Sequence, residues 1–204
     1  MRSLWLTVAL AFVLWGIMFS PITSGYVNFW WMMTGSALIL SGTSSLLNRG
    51  WWRGLNFSVL NIVLGIVIAI ALWGVFWIGD KCASLLFDFA RPQVDTIYSM
   101  KDGESQWLLT VLMLFLIGPA EEIYWRGYVQ KNLSLRWGVN WGFVITTLIY
   151  GVVHASSCNF MLTMAAMVAG AAWGLLYRFF PERFAAIIIS HAIWDVAVFI
   201  WFPI

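Results

Sequence analysis

Six ionisable side chains fall inside the long apolar runs of this chain of 204 residues: Glu121, Glu122, Arg126, His154, His191 and Asp195, which include both of its histidines. Placing one such group at membrane depth costs ~2.5–3.5 kcal/mol even on lenient insertion scales. A cluster of six therefore needs mutual pairing or a function.

The first element is Pro119-Ala120-Glu121-Glu122-Ile123-Tyr124-Trp125-Arg126. Adjacent residues on a helix point about 100° apart, so the two carboxylates cannot easily share one role. Glu122 and Arg126 stand at i and i+4 and can pair on one face, which leaves Glu121 facing elsewhere without that arginine. A carboxylate lacking a cationic partner in a dry site suits a general base that takes a proton from water and later returns it. Alternatively, the three charges could only anchor the cytoplasmic half of their helix.

The second element is His154 with Tyr150 one turn before it, and the third is His191-Ala192-Ile193-Trp194-Asp195. His154 alone fits a hydrogen-bonded packing residue as well as a catalyst. His191 and Asp195 put an imidazole and a carboxylate on one face of the last apolar run, and such groups should face the interior of a bundle. Three helices together then supply a carboxylate base, two imidazoles and a further polar group. That set suits activation of water and stabilisation of an oxyanion.

Glu121-Glu122-x-x-x-Arg126, Tyr150-x-x-x-His154 and His191-x-x-x-Asp195, in that order, resemble the three motifs of the CAAX protease and bacteriocin-processing (CPBP, or Abi) family of intramembrane endopeptidases. The eukaryotic Ras-converting endopeptidase belongs to that family. The resemblance covers the chain from about residue 107 to 202, and the earlier spans match only as hydrophobic segments. It implies hydrolysis of a peptide bond in a membrane-associated protein or peptide. Glu121 and His154 would activate water, His191 and Asp195 would sit at the oxyanion, and Glu122, Arg126 and Tyr150 would support them, with no metal or other cofactor.

Two positions depart from the family pattern. Tyr150 stands where the family often has Phe, and Asp195 where the eukaryotic members have Asn. An ionised Asp cannot donate to an oxyanion. Asp195 is therefore expected to orient and charge His191, which becomes the donor.

Rival readings use the same residues. His154, His191 and either Asp195 or Glu121 could hold zinc with an open position for water, although no HExxH is present. A non-catalytic membrane scaffold or immunity protein could keep the cluster as a structural or docking site. A proton or ion transporter would need repeat symmetry or paired broken spans, and neither is evident.

Composition sets what must position these groups. The chain is 62% apolar and only 10% charged, far from soluble-domain averages of about 45–50% and about 25%. This indicates an all-α, polytopic transmembrane bundle forming one domain over residues 1–204. Its partners are the lipid bilayer and a substrate that enters it; a net charge of +2 without a basic block excludes a nucleic-acid surface.

About seven spans are expected: Leu4–Ser20, Tyr26–Leu46, Leu55–Gly79, Trp107–Gln130, Trp141–His154, Asn159–Tyr177 and Phe184–Phe202, the fifth continuing past His154. The first is too long for a signal-peptide core and is expected to stay in the protein. The connection Asp80–Gln106 is read as loop or as a short interfacial helix ending before Pro92. Ala166, Gly170 and Gly174 form a small-residue packing stripe. Cys82 and Cys158 read as free thiols.

Arg2, Arg49, Arg53, Arg126, Lys131, Arg136, Arg178 and Arg183 sort to one side of such a bundle, with Lys81, Arg91 and Lys101 opposite. The positive-inside rule then puts the N-terminus in the cytoplasm and the C-terminus outside, in a bacterial plasma membrane. Depths along the expected spans, roughly 14 Å for Glu121, 20 Å for His154 and 10 Å for His191, suggest a site in the cytoplasmic half.

Overall fold

Pro92 and Gly138 interrupt the apolar pattern, and the computed structural model, which describes residues 1–204, breaks into helices close to both. The chain is α1 (Arg2–Phe19), α2 (Phe29–Leu47), α3 (Val59–Leu86), α4 (Ala90–Ser99), α5 (Gln106–Trp137), α6 (Val139–His154), α7 (Phe160–Phe179) and α8 (Phe184–Val196), with no strand. It is the expected all-α polytopic bundle. Six helical segments are long and apolar enough to cross a membrane: α1, α3, α5, α7, α6 with the turn after it (Val139–Ser157) and α8 with the turns that flank it (Pro181–Trp201). The other expected span, α2, has 19 residues but is more polar, with Thr34, Ser36, Ser41, Thr43, Ser44 and Ser45 along it.

Two expected boundaries change. The connection Asp80–Gln106 is mostly helical: α3 runs a further two turns to Leu86, and α4 begins after Phe89. Pro92 starts a helix here rather than following one, because the first turn has no intrahelical use for the missing N–H. At the other end of the bundle α5 continues past Gln130 to Trp137, where Gly138 at φ 89° turns the chain into α6. α6 does continue past His154 as expected, by one 3-10 turn, Ala155–Ser157.

α5 is not uniformly wound. Wider π-helical turns at Met113–Ile117 and Trp125–Gln130 bracket the α-helical stretch Gly118–Tyr124 that carries both glutamates. A third such turn, Ala197–Trp201, extends α8 just beyond Asp195. Extra residues of this kind inside a helix re-aim side chains and recur at functional sites.

α5 and α8 meet at Gly118, where a Cβ would lie 2.8 Å from the Cα of Ala192 and 3.0 Å from its amide nitrogen. Backbone cannot yield as a side-chain tip can. Gly118→Ala is therefore expected to push α8 off α5, at about 1–3 kcal/mol by overpacking. A lowered melting temperature in detergent would register it; an unchanged one would show that the two backbones can separate freely.

The small-residue stripe on α7 packs as expected. A Cβ on Gly170 would meet the Tyr150 ring at 2.8 Å, and one on Gly174 would meet Phe143 at 3.0 Å. Outward-facing residues of α3 such as Leu60, Val67, Ile70 and Trp77 are exposed and apolar, as suits contact with lipid. Cys82 and Cys158 are unpaired and exposed.

Candidate active site

Glu121 and Glu122 diverge as their adjacency on α5 requires. Glu122 is fully buried and turns toward Arg126, whose Nη1 donates to its Oε1 at 2.8 Å. The same carboxylate oxygen lies 2.6 Å from Nδ1 of His191 on α8. Sequence spacing predicts the first of these contacts. It does not reveal the second, since periodicity reports neighbours along one helix and not across two.

Arg126 lies inside the bundle and takes no part in the charge balance of either membrane surface. Its Nη2 donates to the carbonyl of Gly170 at 3.0 Å, and its guanidinium sits over the rings of Tyr150 and Trp173 at 5.0 and 5.7 Å. Gln130, one turn further on, donates to the carbonyl of Gly174 at 2.8 Å. Thus two glycines of the α7 stripe bring bare backbone up to the polar face of α5.

His191 is held on three sides. Besides Glu122, its Nε2 faces Asp195 Oδ1 at 3.4 Å, and its ring stacks on Trp173 at 3.7 Å between centroids and 15° between planes. Trp173 is itself fixed by donating to Ser190 Oγ at 3.1 Å. Asp195 does face His191, as expected, but Glu122 makes the closer contact. Nothing in the spacing of Trp173 or Ser190 marks them beforehand.

On the opposite wall Tyr150 links the other two groups. Its hydroxyl donates to Glu121 Oε2 at 2.9 Å, while its carbonyl lies 2.7 Å from His154 Nδ1. The indole N–H of Trp15, on α1, donates to His154 Nε2 at 3.2 Å. An indole can only donate, so Nε2 is the acceptor, and the proton of a neutral ring sits on Nδ1, donating to Tyr150. Both nitrogens of His154 thus have protein partners. Trp15 carries no motif signal, being one more aromatic in the first apolar run.

Glu121, Tyr150, His154, His191 and Asp195 all line one cavity of about 510 Å³, whose walls are otherwise mainly apolar. Glu122 and Arg126 stand behind it, buried. The cavity is walled by the far end of α1 at Phe19, the start of α2 at Trp30, the end of α3, α4, and the start of α7. It belongs to the end of the bundle that carries α4, whereas Arg2, Arg49, Arg53 and Arg136 lie at the opposite end. Glu121 is roughly 23 Å from either end of α5 at ~1.5 Å per residue. The site is therefore central along α5 and turned toward α4, because α5 is longer at its basic end than its apolar run suggests.

No group of three His, Cys, Asp or Glu side chains is arranged to hold a metal ion. No curated protein and no solved structure matches the chain. A family model described as type II CAAX prenyl endopeptidase Rce1-like matches residues 103–197, the span that contains all three motifs and the residues behind the cavity. Over residues 103–197 the chain is thus similar to the Rce1-like type II CAAX prenyl endopeptidases, which is consistent with the CPBP family that the three motifs resemble.

Proposed function

We propose that the protein is a metal-free intramembrane endopeptidase in which Glu121 is the general base. The observation that carries this reading is the meeting of Glu121, His154, His191 and Asp195, from three helices, on the wall of one apolar cavity. The family match and the six apolar helices support an endopeptidase embedded in the membrane, acting on a membrane-associated protein or peptide.

Glu121 takes a proton from water, and the resulting hydroxide attacks the peptide carbonyl. The tetrahedral oxyanion accepts a hydrogen bond from His191, and its collapse breaks the C–N bond. The protonated Glu121 then gives its proton to the leaving amine. His154 joins in holding the water once its Nε2 leaves the Trp15 indole; until then it positions Tyr150 and, through it, Glu121. The zinc alternative asks for three ligands converging on one point, and no three His, Cys, Asp or Glu side chains are so placed.

With carboxylates on both sides, His191 can donate from both nitrogens, Nδ1 to Glu122 and Nε2 toward Asp195. The longer Asp195 contact leaves the Nε2 proton available to an oxyanion. Removing that carboxylate weakens a charge-assisted arrangement worth about 1.5–3 kcal/mol, or about tenfold or more in rate. Asp195→Asn is accordingly expected to lower kcat/KM by at least about tenfold; an unchanged value would remove Asp195 from the mechanism.

The orientation proposed is N-terminus in the cytoplasm and C-terminus outside, in a bacterial plasma membrane. It needs α2 to cross. Its hydroxyls make that feasible by bonding back to their own helix, Ser36 to the Met32 carbonyl at 2.7 Å and Ser41 to that of Ala37 at 2.6 Å. The site then faces the outer leaflet. Seven crossings also leave Arg2, Arg49, Arg53, Lys131, Arg136, Arg178 and Arg183 on the cytoplasmic side.

A further inference from the structure

Asp80 is the one ionisable side chain of the cavity wall that belongs neither to the three motifs nor to α4. It sits near the end of α3, outside the family-matched segment, and is 8% exposed. Neither of its carboxylate oxygens accepts a hydrogen bond. Two cations are near, but neither donates a hydrogen bond to it. Arg91 approaches Oδ1 only to 3.5 Å, since its Nε and Nη2 donate to Asp95 at 2.8 and 2.7 Å and its Nη1 to the carbonyl of Ile204 at 3.2 Å. Lys81 lies 3.6 Å from Oδ2 with its side chain 56% exposed, so solvent screens it.

A buried carboxylate with unused lone pairs is costly unless something supplies donors. The cavity has the matching charge character. Asp80, Glu121 and Asp195 line it, and no Lys or Arg does. An apolar wall that ends in an unsatisfied carboxylate fits a side chain with an apolar stem and a cationic head, as Lys and Arg have.

We propose that Asp80 is a specificity residue: the cavity takes an apolar peptide segment carrying one Lys or Arg, whose head pairs with the Asp80 carboxylate. Cleavage of the bound segment rests on the endopeptidase reading, but its recognition does not depend on cleavage.

The test uses the full chain in detergent micelles and a series of apolar twelve-residue peptides, in which a single Lys, norleucine or Gln is moved along the sequence. Binding is followed by tryptophan fluorescence, since Trp30 and Trp194 line the cavity. The expected result is at least one position where Lys binds tenfold or more tighter than both norleucine and Gln, with that gain lost in Asp80→Asn. The proposal is overturned if no position prefers Lys, if Gln equals Lys, or if Asp80→Asn keeps the gain. The comparison among peptides is made on the unaltered protein, so it stands even if the variant fails to fold. Mass spectrometry of the same mixtures separates the two claims. Lys-selective binding without cleavage keeps the subsite and sinks the endopeptidase reading, and cleavage without Lys preference does the reverse.

Discussion

Glu122→Ala is expected to destabilise the protein by about 3–5 kcal/mol, the usual cost of stripping one partner from a buried ion pair. Glu122 is fully buried and is the only carboxylate within ion-pair distance of Arg126. It is also the closer of the two carboxylates to His191. Its loss leaves a guanidinium inside the bundle with only the Gly170 carbonyl and two aromatic faces for company. Chemical unfolding in detergent would measure the effect, with Glu122→Gln as companion because an amide oxygen can still accept from Arg126. A melting curve for Glu122→Ala that overlays the native one would mean that the pair is not the structural centre of the α5–α8 contact.

Glu121→Gln should separate from this cleanly. The amide keeps an oxygen for the Tyr150 hydroxyl, so folding and abundance should stay close to native. It cannot take a proton from water, and general-base catalysis contributes typically ~10²–10⁴-fold. A loss of that size in peptide cleavage at matched abundance is the expected outcome. Activity within a few-fold of native would assign Glu121 to packing.

The contrast between adjacent glutamates is the most legible part of the site. Their angular separation on a helix, the i and i+4 spacing of Glu122 with Arg126, and that of His191 with Asp195 all follow from helical geometry, and all three hold. Contacts between helices are not legible in the same way. Glu122 to His191, Arg126 to the Gly170 carbonyl, and Trp15 to His154 depend on which faces meet, and apolar runs without a polar face leave helix rotation undetermined.

Among the elements, span positions follow from apolar length, but their ends do not. Three π-helical turns insert residues that leave no apolar signature. Pro92, read as the stop of a short helix, lies instead in the first turn of α4, where a missing N–H is equally tolerated. Asp80 shows the same limit. In the sequence it is one of several acids in a connection, and only the longer α3 places it on the cavity wall.

The central claim, that Glu121 drives peptide hydrolysis in the membrane, is tested most directly by comparing protein termini in membranes from cells that carry the native chain or Glu121→Gln at equal abundance. Mass spectrometry should find termini present with the native chain and absent with the variant, which would also identify the substrate. Identical termini in the two membranes, with the biological phenotype intact, would contradict the claim and favour a scaffold or immunity role for the buried cluster.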